Sequence, residues 1–273
     1  MIENNYTFNT GETQSDLRNT YNPDNSNLRK AQLRMLDMLV YFDSVCKKIG
    51  VEYVLEGGNA LGAIRHGGFI PWDDDVDVDM KWSDYKKICK YLVEHPHPQF
   101  VLQTPQTDPG YWGNWSVLRD TKSEYLQNSV IHNKRKFRGL QIDIFPMECN
   151  CSPFLHRVAA KLHYWNTLLI DKSTFITSVF YYIRHRLIHP TFRILDKLFI
   201  GEKGYYMYCY GHGGKTKLPS DSLFPAKDLL YEGKIFKGPN NIDKYLRTFF
   251  RNYMDLPPIE NRNKHQATYL IYD

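Results

Sequence analysis

Five cysteines in 273 residues form no Cys-x-x-Cys pair. The set (Cys46, Cys89, Cys149, Cys151 and Cys209) is odd in number, which speaks against a disulfide framework and for reduced thiols in the cytoplasm. Cys149-x-Cys151 lacks the second pair that a structural zinc site needs. No stretch reaches 18 apolar residues, so no membrane-spanning helix is expected. No apolar h-region opens the chain, so no secretory leader is expected either. Internal repeats and low-complexity runs are missing. The net charge is +5, but no nucleic-acid-binding motif accompanies it, so nucleic acid is not an expected partner. The length gives room for one large domain or two small ones, with a full core.

What the chain does have is a concentrated acidic stretch. Between Glu56 and Met80, Asp73, Asp75, Asp77 and Asp79 alternate with Asp74, Val76 and Val78. In an extended strand, residues two apart share a face and lie about 7 Å apart. Like charges cost about 4 kcal/mol per pair at 4 Å and an effective dielectric near 20. A row of this kind calls for a neutralising partner, and a divalent cation is the usual one. Val76 and Val78 face the other way and fix the register. A solvated acidic surface fits less well, because it would not carry valines in alternation behind Phe69-Ile70-Pro71-Trp72. An EF-hand loop needs Gly and Glu where Val78 and Asp84 stand. The Asp-x-Asp of a sugar-nucleotide glycosyltransferase fits the acids but leaves the upstream glycines unexplained.

Upstream, Val51–Leu55 reads as a short strand, Gly57-Gly58-Asn59 as a turn, and Ala60–His66 as a short helix. Strand, glycine turn and helix start bring backbone N–H groups to where a phosphate can sit. Downstream, Asp143 is a lone acid in the apolar run Leu140–Phe145, which is unusual unless it is paired or metal-bound. The ordered set points to a nucleotidyltransferase-like site. Asp75, Asp77 and Asp143 are its catalytic carboxylates, and Asp73 joins them around Mg2+ or Mn2+. Gly57, Gly58, Asn59, Arg65, His66, Trp72, Arg119 and Lys122 are candidate substrate contacts. Three have a structural counter-reading: a salt bridge for Arg65, a buried histidine for His66, and core packing for Trp72.

These residues resemble the LicD family, which includes bacterial phosphocholine transferases and fukutin-type phosphoribitol transferases. The resemblance rests on Leu55-Glu-Gly-Gly58, Leu61-Gly-Ala-Ile-Arg-His66, Gly68-Phe-Ile-Pro-Trp-Asp-Asp-Asp75 and Ile142-Asp-Ile-Phe-Pro146. Leu256-Pro-Pro258, Arg262 and His265 extend it to nearly the whole chain. It implies a transferase that moves a phospho-alcohol from a CDP-linked donor to a hydroxyl of a glycan or lipid-linked glycan in cell-surface polysaccharide synthesis. The chain departs from the family pattern at Asn59, where Thr is usual, and at Asp79, where Gly is common. Phe250-Arg-Asn-Tyr253 also replaces a usual Tyr-Gly-Asp-Tyr. Transfer of a whole nucleotide with release of pyrophosphate, and a non-catalytic glycan-binding domain, are the competing readings.

The expected class is α+β: a nucleotidyltransferase-like mixed β-sheet with flanking helices and a largely helical C-terminal half. Residues 1–25 read as a mobile polar tail, 26–150 as the catalytic core, and 151–273 as a basic, aromatic helical part completing the cleft. Leu28–Ile49 has helical spacing, with Ser26 or Asn27 as cap and Gly50 as stop. His156–Lys217 holds ten Lys/Arg and three Asp/Glu, a net +7 that leaves the rest at −2. Ser178–Ile200 alternates apolar groups with Arg184, Arg186, Arg193 and Lys197. Such a stretch suits either a helical subdomain on the sheet or peripheral contact with the anionic inner face of the cell membrane.

Overall fold

A computed structural model describes residues 6–126, 130–170, 172–201, 203–262 and 268–272; His265 lies outside the described residues. In chain order the elements are α1 (Gln14–Tyr21), α2 (Asn27–Ile49), β1 (Val54–Leu55), α3 (Gly57–His66), β2 (Asp77–Lys81), α4 (Trp82–Glu94), β3 (Phe100–Gln103), β4 (Ser116–Asp120), β5 (Ser123–Leu126), α5 (Val130–Asn133) and β6 (Gln141–Cys149). There follow α6 (Pro153–Leu169), α7 (Thr174–Ile183), α8 (His189–Phe199), β7 (Tyr205–Tyr208), β8 (Leu218–Pro219), α9 (Ser220–Leu223), β9 (Lys227–Tyr231), β10 (Lys234–Gly238), α10 (Ile242–Phe249) and β11 (Thr268–Ile271). The class is α+β, as expected.

The main sheet runs β1-β2-β6-β4-β3, and β6 also pairs with β7, which carries β8. β2 and β6 run parallel, with Asp77 opposite Asp143 and Val78 opposite Ile144. The neighbours of this pair, β1 and β4, are antiparallel to it. Alternation along the strands builds a core on each face. On one face Val76, Val78, Ile142 and Ile144 pack against α2 and α4 through Met35, Leu39, Phe42, Ile88 and Leu92. On the other, Val54, Phe145 and Met147 meet α3 and α10 through Ala60, Leu61, Tyr245 and Leu246. Asp77 and Asp143, one residue out of step with the valines and isoleucines, fall on this second face.

α2 forms for the reasons its sequence gives. Its apolar residues recur at three and four, the Ser26 hydroxyl accepts the Arg29 N–H, and Gly50 closes it at φ +66°. Three expectations change. The acidic stretch is not one strand: Asp73–Val76 is irregular and β2 begins at Asp77, although the Val76 carbonyl still accepts the Asp143 N–H at 2.9 Å. Within the expected polar tail, residues 6–25 carry α1, closed by a reciprocal Thr13–Asp16 cap. Leu17 and Phe8 are buried in the second core, and two apolar anchors suffice where composition showed mostly Asn and Thr. The C-terminal half, expected to be largely helical, also gives β7 and β8 to the main sheet. The Tyr-Tyr-Met-Tyr of β7 offers no polar alternation from which a strand could be read.

α7 and α8 form one continuous helix through a π turn at Arg184–Ile188, where the His189 N–H reaches back to the Arg184 carbonyl. Pro190 follows directly. Its ring cannot donate and crowds the turn before it, and a widened turn relieves that conflict. The buried side chains of this helix (Thr177, Tyr181, Arg184, His189 and Asp196) shift their spacing at the π turn.

Candidate functional site

The site forms where the start of α3 meets the β2–β6 pair. Asn59, in the first turn of α3, donates its Nδ2 to the Asp75 carbonyl at 3.1 Å and accepts the Asp77 N–H on Oδ1 at 2.6 Å. The amide expected to touch phosphate thus ties the acidic loop to the helix. Gly58 permits that closeness, since a Cβ there would lie 3.2 Å from Asp73 Oδ2. Gly57 takes φ +28°, and its N–H donates to the Tyr245 hydroxyl at 3.0 Å, so this amide is not one left for a phosphate. α3 crosses the following loop at Gly62, where a Cβ would sit 2.3 Å from the Gly68 carbonyl oxygen. Gly62→Ala should therefore lower stability by about 2 kcal/mol, because backbone on both sides must shift. An unchanged urea midpoint would contradict this close crossing.

Six carboxyl groups converge here. Asp77 and Asp143 are cross-strand neighbours, and Asp73, Asp74 and Asp75 place carboxylate oxygens within 4.8 Å of one another. The irregular backbone brings Asp74 to Asp73 and Asp75, where strict alternation would have sent it to the opposite face. The Tyr125 hydroxyl donates to Asp74 at 3.4 Å. Asp143 is held on both oxygens, accepting from Trp115 Nε1 at 3.0 Å and Gln141 Nε2 at 2.7 Å. Glu56, at the end of β1, completes the group and accepts a hydrogen bond from the Tyr208 hydroxyl.

The electrostatics follow from burial and crowding. Burial first, then Asp75 and Asp143, push the Asp77 carboxyl well above its usual range. Burial, then Asp75 and Asp74, do the same to Asp73. Glu56 is raised to about 7 by burial, with Asp75 adding to the rise and the Tyr208 bond opposing it. Burial also raises Asp143, against the pull of Arg119 and its two hydrogen bonds. An all-oxygen donor set of mutually repelling, shielded carboxylates suits a hard divalent cation. Asp79, on the same strand, is shut in completely. Its neighbours are Glu56 and the Tyr245 hydroxyl at 3.5 Å.

The other expected contacts divide. Arg65 lies near enough to Asp73 to feel its charge. Its Nη1 donates to the carbonyls of Tyr253 and Asp255 at 3.1 and 3.0 Å, and its Nε to His66 Nε2 at 2.9 Å. His66 closes the relay on Gln14 Oε1 at 2.7 Å, and burial drives its pKa well below 6.5, so the ring is neutral with Nδ1–H as donor. This pair braces the N- and C-terminal segments against α3. Trp72 is 9% exposed and packs on Tyr21 and His66, with the Arg262 guanidinium 5.1 Å above its ring. The core reading fits it, and its cation is internal. Arg262 in turn pairs with Glu12 at 2.8 Å.

Arg119 is fully buried, donating to Gln103 at 2.8 Å and the Gly139 carbonyl at 2.9 Å. It acts on Asp143 through its field, and its expected phosphate contact gives way to a structural role. Lys122 is exposed in the turn after β4, five residues past Val117, the partner of Asp143. Sequence reasoning passed over Glu56, Trp115, Gln141, Tyr208 and Tyr245. Two signals were available: Glu56 is an acid between a strand and a glycine pair, and Gln141 shares a face with Asp143 two residues on.

A mixed sheet with carboxylates on adjacent parallel strands, beside a helix that opens on a glycine pair, is the architecture of a nucleotidyltransferase-type domain. A family model described as LicD/FKTN/FKRP, nucleotidyltransferase domain, matches residues 50–194, and the chain belongs to this family. It is 25% identical over 267 residues to the lipopolysaccharide cholinephosphotransferase LicD of Haemophilus influenzae, covering 89% of this chain and 98% of that protein. Over 44 residues it is 52% identical to the ribitol 5-phosphate transferase FKRP of Homo sapiens, 16% of this chain and 9% of that one. A protein of Rickettsia prowazekii without assigned function is 34% identical over 71 residues. By their names the first two relatives transfer phospho-alcohols, which supports a phosphotransferase role here.

Proposed function

We propose that this chain is a metal-dependent transferase that moves a phospho-alcohol, phosphocholine or a phospho-polyol, from a CDP-linked donor to a glycan hydroxyl. The observation that carries the reading is the cross-strand pair Asp77–Asp143, with Asp73, Asp75 and Glu56 crowded around it. Asp73, Asp75, Asp77 and Asp143 would hold Mg2+ or Mn2+. When bound, the ion supplies positive charge against the donor diphosphate and the leaving CMP. In the reaction the acceptor oxygen forms a bond to the distal phosphorus, the bond from that phosphorus to the CMP oxygen breaks, and the hydroxyl proton passes to a carboxylate. Asp143 would receive it. Trp115 and Gln141 fix its orientation, and each oxygen keeps a further lone pair. Asn59 holds Asp75 and Asp77 in position through backbone contacts, so positioning is built in before substrate arrives.

The reading is tested by incubating the chain with Mg2+ and a panel of CDP-alcohols and following CMP release with and without glycan. Release of CMP that depends on acceptor is the expected result. Pyrophosphate release from a nucleoside triphosphate would favour nucleotidyl transfer instead, and no turnover under any condition would favour a binding domain.

Metal and protons should compete at the site. A carboxyl whose folded pKa is raised favours folding below its ordinary pKa and loses that contribution as pH climbs through the raised value. The metal-free chain therefore carries a growing penalty from Glu56, Asp73 and Asp77 toward neutral pH. The rise in melting temperature caused by Mn2+ over EDTA should grow between about pH 5 and pH 7.5. A rise that is flat or shrinking over that range would contradict binding at these groups. Histidine contributions cancel in the difference.

A further inference from the structure

The helical layer after β6 carries an apolar surface that the transfer reaction does not use. α6 and α7 enclose an open groove of about 610 Å³, lined by Trp165, Leu168, Phe175, Ile176, Val179 and Ile183. Phe175 at the head of α7 is 76% exposed. Along the π turn and α8, Leu187, Ile194 and Leu198 recur at seven and four residues, 60–69% exposed, and Phe199 at the end of α8 is 78% exposed. The groove and this stripe belong to one rigid piece, because α7 and α8 are a single helix through the π turn. Soluble surfaces seldom gather so many large apolar side chains.

The charges around them are mostly basic. Residues 153–200 hold Arg157, Lys161, Lys172, Arg184, Arg186, Arg193 and Lys197 against Asp171 and Asp196. Asp196 is buried under the Tyr210 hydroxyl and the Ser152 N–H, so it does not offset the outer charge. Lys161, Lys172, Arg186 and Lys197 are exposed, and Lys172 lines the groove itself. None of the described helices is long and apolar enough to cross a membrane. Large apolar side chains rimmed by lysines, on helices not long and apolar enough to span, fit the interfacial region of an anionic bilayer.

The layer also reaches a chain neighbour of the site. Within the same helix, Arg184 Nη1 and His185 Nε2 lie 3.4 and 3.2 Å from Asn114 Oδ1. The next residue, Trp115, donates to Asp143.

We propose that the α6–α8 layer lies on an anionic lipid bilayer, sinking Phe175, Leu198 and Phe199 below the headgroups, and so presents the carboxylate site to a lipid-tethered acceptor. Docking itself does not depend on the proposed reaction; only its purpose does. Full-length protein is sedimented with phosphatidylcholine vesicles with and without phosphatidylglycerol, at low and high salt. Binding that requires phosphatidylglycerol and weakens with salt is expected. Phe175→Ser/Leu198→Ser/Phe199→Ser should weaken it on the order of 100-fold with unchanged circular dichroism. Lys161→Gln/Lys172→Gln/Lys197→Gln should flatten the salt dependence. CMP release with a soluble acceptor should be the same in both variants as in the parent; its absence from the parent counts against the reaction alone. Indifference of the parent to phosphatidylglycerol, or undiminished binding by the serine variant, overturns the proposal. A parent that dimerises in solution and becomes monomeric in the serine variant also overturns it, assigning the face to a second copy.

Discussion

Asp77→Ala should reduce transfer at least about 1,000-fold while leaving the fold as stable as before or slightly more so. The two halves of this expectation have one cause. Asp77 sits between Asp75 and Asp143, and burial with those neighbours raises its pKa. Holding it ionised at neutral pH costs folding free energy, about 1.4 kcal/mol for every tenfold bias toward the protonated form. Alanine removes that cost together with a proposed metal ligand, and charge neutralisation at a transferring phosphoryl group is worth several kcal/mol. The measurements are CMP release at saturating Mg2+ and the urea midpoint in EDTA at pH 7. Activity within tenfold of the parent, or parent activity that survives exhaustive chelation, would remove the carboxylates from the mechanism. A large loss of stability would mean that the acids hold the strands together, contrary to their crowding.

Arg65→Leu should do the reverse. It strips partners from the carbonyls of Tyr253 and Asp255 and from His66. Burial lowers the Arg65 pKa only to about 10, so the guanidinium is still charged at neutral pH and its loss breaks charged hydrogen bonds. A cost of about 3 kcal/mol is expected, with kcat/KM of the folded protein at low temperature within about tenfold of the parent. Lysine should restore little, because one ammonium cannot replace a planar fork. If stability holds and KM for the donor climbs steeply, Arg65 grips phosphate and the bracing role is wrong.

The acidic pattern was readable from Val76 onward, where alternation states its own geometry, but not at Asp73–Asp75, where the backbone is irregular. Val76 and Val78 entered the core, and Asp143, an acid alone in an apolar run, proved to be the cross-strand partner of Asp77. α2 was readable for the same reason, being long, periodic and capped. What escaped depends on contacts between distant segments. Glu56 is an ordinary acid until Tyr208, 152 residues later, donates to it. Asp79 continues the alternation, yet Tyr245 and the second core enclose it, so one period led to two fates. Arg119 and Lys122 resembled phosphate contacts because nothing local tells a buried arginine from a free one. α1 went unseen because a single leucine and a single phenylalanine anchor it among polar residues.

The two carboxylates that face each other across β2 and β6 are 66 positions apart in the chain, yet hydrogen-bond register alone sets their spacing. The excursion between them runs through α4, β3, β4, β5 and α5, and it returns Trp115 to Asp143 and Tyr125 to Asp74. A shift of one residue in the β6 pairing would turn Asp143 into the α2 core and bring an isoleucine beside Asp77. The fold thus ties the spacing of this pair to a register that tolerates no drift.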